Sequence, residues 1–257
     1  MAYFIYLITG LIAGIVGGLL GTGGCALMMP VIRFGFHFDP AIAVGTTLTA
    51  VVFTAASGAY QHIKMKNVDK HTAWMIAVCG VLGVIIGSVV FDQVKNYGKV
   101  IDLILGIAFF GVFLRMVSER FSSKESEIYP ENRFSGKKTT KGIFGSCVGF
   151  LTGIIGLGGG YALVPFFIFL KMPLKLAIGT SMASFVWIAF VGAMFKIYQG
   201  VANIPVAIFM GIGAFVGAMY GAKLVARVHP NALKSLFSLL FLYVSLKYIF
   251  IYFGISI

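Results

Sequence analysis

Apolar runs follow one another along the chain with short polar separators. They fall at residues 3–20, 24–36, 41–61, 72–91 and 100–117, and, after a hydrophilic stretch, at 143–155, 159–170, 177–197, 204–225 and 232–253. About 20 apolar residues in helix cross a bilayer core, and a spanning segment must satisfy its own backbone hydrogen bonds, so helices are the expected elements. A transmembrane barrel would show alternating segments of roughly 10 residues, whereas these runs are continuously apolar. Residues 118–141 are charged, Ser-rich and contain Pro130, the marks of a loop outside the membrane. The pattern divides the chain into an N-terminal transmembrane repeat (1–117), a hydrophilic connector (118–141) and a C-terminal transmembrane repeat (142–257). The first run lacks a basic leader and continues straight into the repeat, so no cleavable signal peptide is expected.

The halves are versions of one another. GIVGGLLGTGGCALMMP (14–30) matches GFLTGIIGLGGGYALVP (149–165) at a constant offset of 135, with identities at Gly14/Gly149, Gly18/Gly153, Gly21/Gly156, Gly23/Gly158, Gly24/Gly159 and Pro30/Pro165. A second block, AVGTTLTAVVFTAASGA (43–59), matches AIGTSMASFVWIAFVGA (177–193) at an offset of 134. Glycine-broken apolar segments at matching places in two repeats point to the binding site of a secondary transporter.

The first two runs of each half can form one long interrupted span or a hairpin that returns to its own side, and Lys/Arg positions discriminate between them. One crossing per pair divides Lys/Arg 12 on the connector side against 8. Hairpins divide them 15 against 5, leaving only Arg33, Lys95, Lys99, Lys196 and Lys247 opposite the connector. The second sorting predicts an all-α polytopic protein with inverted repeats. Each repeat is a Gly-rich re-entrant or broken helical hairpin followed by three transmembrane helices, and the connector is cytoplasmic.

Composition agrees: 59% of residues are hydrophobic, 11% charged, and the mean hydropathy is +0.98. The net charge of +12 resides in loops between spans, where basic residues set topology, so nucleic acid is not an expected partner. Cys25, Cys79 and Cys147 have neither disulfide-framework nor zinc spacing, and no metal or cofactor is expected. Paired carboxylates, HExxH, GxSxG and Walker sequences are absent, which argues against an enzyme.

Hairpins entering from opposite sides would bring Gly21–Gly24 and Gly156–Gly160 together near the midplane, with the N-termini of both returning helices aimed at one spot. Each N-terminus carries roughly half a positive charge and unpaired amides, so an anion is the natural guest. Glycine lets backbone amides reach an oxyanion and take positive φ. Gly23, Gly24, Gly158, Gly159 and Gly160 are thus the candidate backbone donors. Thr46, Thr47, Thr180 and Ser181 are either supplementary hydroxyl donors or helix caps. Pro30 and Pro165 would loosen or kink the returning helices. The pairs Gly14/Gly18, Gly83/Gly87, Gly149/Gly153 and Gly217/Gly221 have instead the four-residue spacing of close helix packing.

LGTGGCALMMP and GLGGGYALVP, each followed by an apolar GT[ST] segment, resemble the sulfite exporter TauE/SafE family, also called the toluene sulfonate uptake permease family, over essentially the whole chain. The resemblance implies transport, often export, of a sulfur oxyanion or small organosulfonate such as sulfite or sulfoacetate across the cytoplasmic membrane. Thr22 and Cys25 stand where that family often has further glycines. Thr22 would add a hydroxyl donor, and Cys25 would either react with a sulfur substrate or pack as a small hydrophobe.

Lys196 and its repeat counterpart His62, with Gln61 and Gln199, are candidate gating or charge residues near a pore mouth. Snorkelling is the alternative for Lys196, and a wet loop is the expectation at His62. Phe185 and Trp187 are expected to face core or lipid. With Asp92 and Asp102 near span ends, a buried carboxylate relay is not expected, so a coupling proton or ion would use another group. The expected partners are a small anion and the bilayer. An anion channel without alternating access is the competing function, and oligomeric state is left open.

Overall fold

A computed structural model describes residues 2–121, 138–156, 159–224 and 230–253. Gly158 and most of the connector lie outside the described residues. The chain forms α1 (Ala2–Leu20), α2 (Cys25–Pro30) continued by a π-helical turn (Val31–Gly35), α3 (Pro40–Lys64), α4 (Lys70–Val94) and α5 (Gly98–Phe121). The second half gives α6 (Lys138–Ile155), α7 (Gly160–Phe169), α8 (Leu174–Tyr198), α9 (Ile204–Leu224) and α10 (Pro230–Tyr252). No strand occurs among the described residues, and α1, α3, α4, α8 and α9 are each long and apolar enough to cross a membrane. α5 and α10 carry the expected runs 100–117 and 232–253, and part of their side chains lies outside the described residues; α2, α6 and α7 carry the shorter ones. The chain is an all-helical, multi-pass membrane protein.

Small residues decide which helices touch. A methyl group placed on Gly14 would lie 2.6 Å from Cα of Ala214, and one on Gly18 3.0 Å from Cα of Ala218, so α1 and α9 run side by side in the same direction. The same holds for α6 on α4, where a methyl on Gly145 would lie 3.2 Å from Cα of Ile76 and one on Gly153 2.7 Å from the amide of Ser88. Lipid tails are as apolar as leucine, so backbone approach over small residues supplies the attraction between spans. The packing expected of Gly14/Gly18, Gly83/Gly87, Gly149/Gly153 and Gly217/Gly221 is what these contacts provide.

α3 and α8 form the centre, most of each lying buried among the other helices. They pack antiparallel: Gly58 of α3 faces Met182 of α8, and Gly192 of α8 faces Leu48 of α3. α5 and α10 pair at the periphery, where Phe109 stacks on Tyr248 and Phe241 at centroid distances of 5.8 and 5.9 Å.

Candidate functional site

The first chain break is built from left-handed glycines: Gly21, Gly23 and Gly24 have φ of 70°, 75° and 74°. A side chain is disfavoured at each, which is why the chain can turn there at all. The break folds onto α1, since a methyl on Gly24 would fall on the carbonyl of Ala13 and one on Gly17 on the amide of Gly24. In the second break Gly156 has φ of 68°, whereas Gly159 is right-handed, with φ of −56°.

The breaks touch. A methyl on Gly160 would fall on the carbonyl of Gly21 and lie 2.5 Å from Cα of Thr22. One on Gly23 would lie 2.9 Å from Cγ1 of Val51, the twelfth of the 25 residues of α3. Gly23 therefore lies at about half the length of α3, while Gly21 lies against Ile178, the fifth of the 25 residues of α8, and Gly156 against Val44, the fifth of α3. Backbone bonding along α2 begins with the amides of Leu27 and Met28 donating to the Gly24 carbonyl, each at 3.2 Å. Along α7 it begins with Ala162 and Leu163 donating to Gly159, at 3.1 and 2.8 Å. The preceding amides are those a helix N-terminus leaves without an intrahelical acceptor. Thr22 is buried beside them, and its hydroxyl has no partner. Cys25, also buried, donates to the Thr22 carbonyl at 3.4 Å.

The four repeated hydroxyl residues split into two kinds. Thr46 accepts the amide of Asn203 at 2.9 Å and Thr180 accepts that of Asp69 at 3.0 Å, so each holds the loop that follows the other half's central helix. Ser181 donates to the carbonyl of Gly21 at 3.4 Å and Thr47 to the sulfur of Met29 at 3.8 Å, which puts both against the first break or its returning helix.

The charge and gating candidates are more deeply placed than the sequence suggests. Lys196 is fully buried rather than snorkelling: its ammonium donates to the carbonyl of Gly153 at 2.7 Å and lies 3.2 Å from the centroid of Phe91. Gln199 donates to the carbonyl of Ser88 at 2.7 Å. The Gln199 amide oxygen and the Ser88 hydroxyl have no partner. His62 is 1% exposed with neither ring nitrogen partnered, which corrects the expectation of a wet loop. Its Cβ and the backbone of Asn67 pack against Gly179 of α8, and the basic residues that follow it lie past the end of the buried stretch. Gln61 is buried too. Trp187 is exposed and Phe185 buried.

Two features escape sequence reading. Arg33, at the end of the first returning helix, grips Asp102 of α5 through Nε at 3.0 Å and Nη2 at 2.8 Å. Beside the second break an apolar crevice of about 720 Å³ opens between α5, α6 and α7, lined by Phe144, Val148, Gly159 and Pro165 among others.

The family model of the sulfite exporter TauE/SafE matches residues 6–248. A probable membrane transporter protein of Methanocaldococcus jannaschii is 28% identical over 90% of this chain and 90% of its own length. The probable membrane transporter protein YunE of Bacillus subtilis is 25% identical over 97% of this chain and 98% of its own. No solved structure matches. The chain belongs to the TauE/SafE family and is a membrane transporter.

Proposed function

We propose that this TauE/SafE member is a secondary transporter, working as an exporter, of a small sulfur-containing oxyanion or organosulfonate such as sulfite or sulfoacetate. The carrying observation is the contact between the two glycine breaks against the central helices α3 and α8, where two helices begin. Amides of Gly23, Gly24, Gly159 and Gly160, and of Gly158 by repeat equivalence, are the oxyanion donors. The hydroxyls of Thr22, Thr47 and Ser181 supplement them. Two N-termini supply roughly one unit of positive charge without an ionised side chain to desolvate.

Helix directions support an inverted repeat. α1 runs with α9, α6 runs with α4, and α3 opposes α8, so corresponding elements of the halves point opposite ways. Ring contacts support re-entrant hairpins: Tyr6 at the start of α1 meets Phe36 past the returning helix at 4.7 Å, and Phe144 of α6 stacks on Phe166 of α7 at 3.8 Å. A continuing span would carry Phe36 away from Tyr6 at about 1.5 Å per residue. With this topology the basic residues favour a cytoplasmic connector in the inner membrane.

The test is flux from proteoliposomes loaded with sulfite. Saturable efflux with counterflow supports alternating access, unsaturable flux without counterflow makes the protein an anion channel, and no flux of any sulfur anion refutes the reading. Thermal unfolding in detergent across sulfite, thiosulfate, sulfoacetate, sulfate and chloride identifies the anion, because a ligand of the folded state raises its stability.

A further inference from the structure

The ring of Phe185 lies between the two breaks. A methyl group on Gly23 would be 3.6 and 3.8 Å from Cε1 and Cδ1, along one edge of the ring. A methyl on Gly159 would be 2.9 and 3.3 Å from Cδ2 and Cε2, along the other edge. The side chain is 1% exposed, on the twelfth of the 25 residues of α8. At the repeat offset of 134 its counterpart is Val51, whose Cγ1 would be 2.9 Å from the methyl on Gly23. The two halves are therefore unequal at their meeting point, with an aromatic ring from one and an isopropyl group from the other.

We infer that Phe185 is the size filter of the transport path, setting which anions reach the backbone amides of the two breaks. The inference rests on the transporter reading above. The ring fills the space that separates Gly23 from Gly159, so an anion bridging both sets of amides must move the ring aside or lie against its edge. The edge of an aromatic ring carries partial positive charge, so contact there does not repel an oxyanion. A small anion needs only a rotamer shift of one side chain, since α8 is a continuous helix. A bulky organic group needs more room than the shift provides. Val51 occupies the equivalent place on α3, with Cγ1 against Gly23.

The experiment compares efflux of sulfite with efflux of benzenesulfonate from proteoliposomes containing wild type, Phe185→Val, Phe185→Leu or Val51→Phe. Phe185→Val, which makes the two halves alike, is expected to raise the benzenesulfonate-to-sulfite rate ratio at least tenfold. Phe185→Leu is expected to raise it less, and Val51→Phe to lower both rates. A merely structural phenylalanine would lower the unfolding temperature and slow both anions together, leaving the ratio unmoved. Folding of each variant is read from monodispersity and thermal unfolding. If Phe185→Val fails to fold, a wild-type ratio in folded Phe185→Leu overturns the filter. Wild-type sulfite flux with unchanged ratios in the variants overturns the filter alone, whereas absence of any wild-type flux overturns the transporter reading with it.

Discussion

The ammonium of Lys196 sits 2.7 Å from the carbonyl of Gly153 and 3.2 Å from the centre of the Phe91 ring, with its side chain wholly buried. A hydrogen bond from a charged donor contributes about 1.5–3 kcal/mol, and a desolvated cation–π contact about 2 kcal/mol. Taking the ion out of water costs several kcal/mol, so the arrangement is close to neutral for stability. Lys196→Met is therefore expected to shift the unfolding temperature by no more than a few degrees, while sulfite efflux falls at least tenfold. Thermal unfolding and flux on the same preparation check both, and unchanged flux would leave Lys196 with a packing role only.

Arg33 and Asp102 clamp the first returning helix to α5 from residues 69 apart in sequence. Asp102 is buried while the Arg33 side chain keeps some exposure, so removing the carboxylate strands a partly hydrated guanidinium. Asp102→Ala is expected to destabilise by about 3 kcal/mol, at the low end for breaking a buried pair. Arg33→Met with Asp102→Leu is expected to recover most of that loss. The second returning helix carries Ile168 at the position equivalent to Arg33 and borders the crevice beside α5. If only the second hairpin moves during transport, the double variant keeps wild-type flux. Denaturation and flux of the three variants decide it.

Repetition was the most legible property. The same glycines at offsets of 134 and 135 announced two alike halves, and four-residue glycine spacing announced which spans approach closely. The positive φ of Gly21, Gly23, Gly24 and Gly156 follows from a glycine density that no continuous helix would carry. Depth was not legible. Lys196 and His62 end apolar runs, where a long or titratable side chain ordinarily reaches water, and only the packing of other helices over them makes them buried. Partners distant in sequence were illegible for the same reason: nothing near Arg33 names Asp102, and nothing near Thr180 names Asp69. Phe185 reads as one apolar residue among many until the breaks close on its two edges.

Glycines inside helices differ in what they tolerate. A methyl on Gly149 would fall on the carbonyl of Gly80, while one on Gly111 meets nothing within 4 Å. Gly149→Ala must push α6 off α4 and is expected to lower stability by about 2 kcal/mol, within the range for overpacking. Gly111→Ala adds helix propensity alone and is expected to stabilise by up to about 1 kcal/mol. Thermal unfolding of the two single variants provides the contrast. Equal effects would mean that α4 and α6 do not rely on backbone contact.

Thr46 and Thr180 each accept a backbone amide from the other half, whereas Ser181 faces the carbonyl of Gly21 in the first break. Valine keeps the shape of threonine but leaves a part-buried amide without its acceptor, and stranding such a donor costs about 1–3 kcal/mol. Thr46→Val and Thr180→Val are therefore expected to lower stability by about 2 kcal/mol each, with sulfite concentration dependence unchanged among molecules that remain folded. Ser181→Ala removes a long hydrogen bond and is expected to lower stability by no more than about 1 kcal/mol. Its effect appears in the half-saturating sulfite concentration, which should rise severalfold if the hydroxyl turns from Gly21 to the anion. A Ser181→Ala protein with wild-type saturation would restrict the donor set to backbone amides and the hydroxyls of Thr22 and Thr47. Altered saturation in Thr180→Val would mean that the cap on Asp69 and the site are one unit.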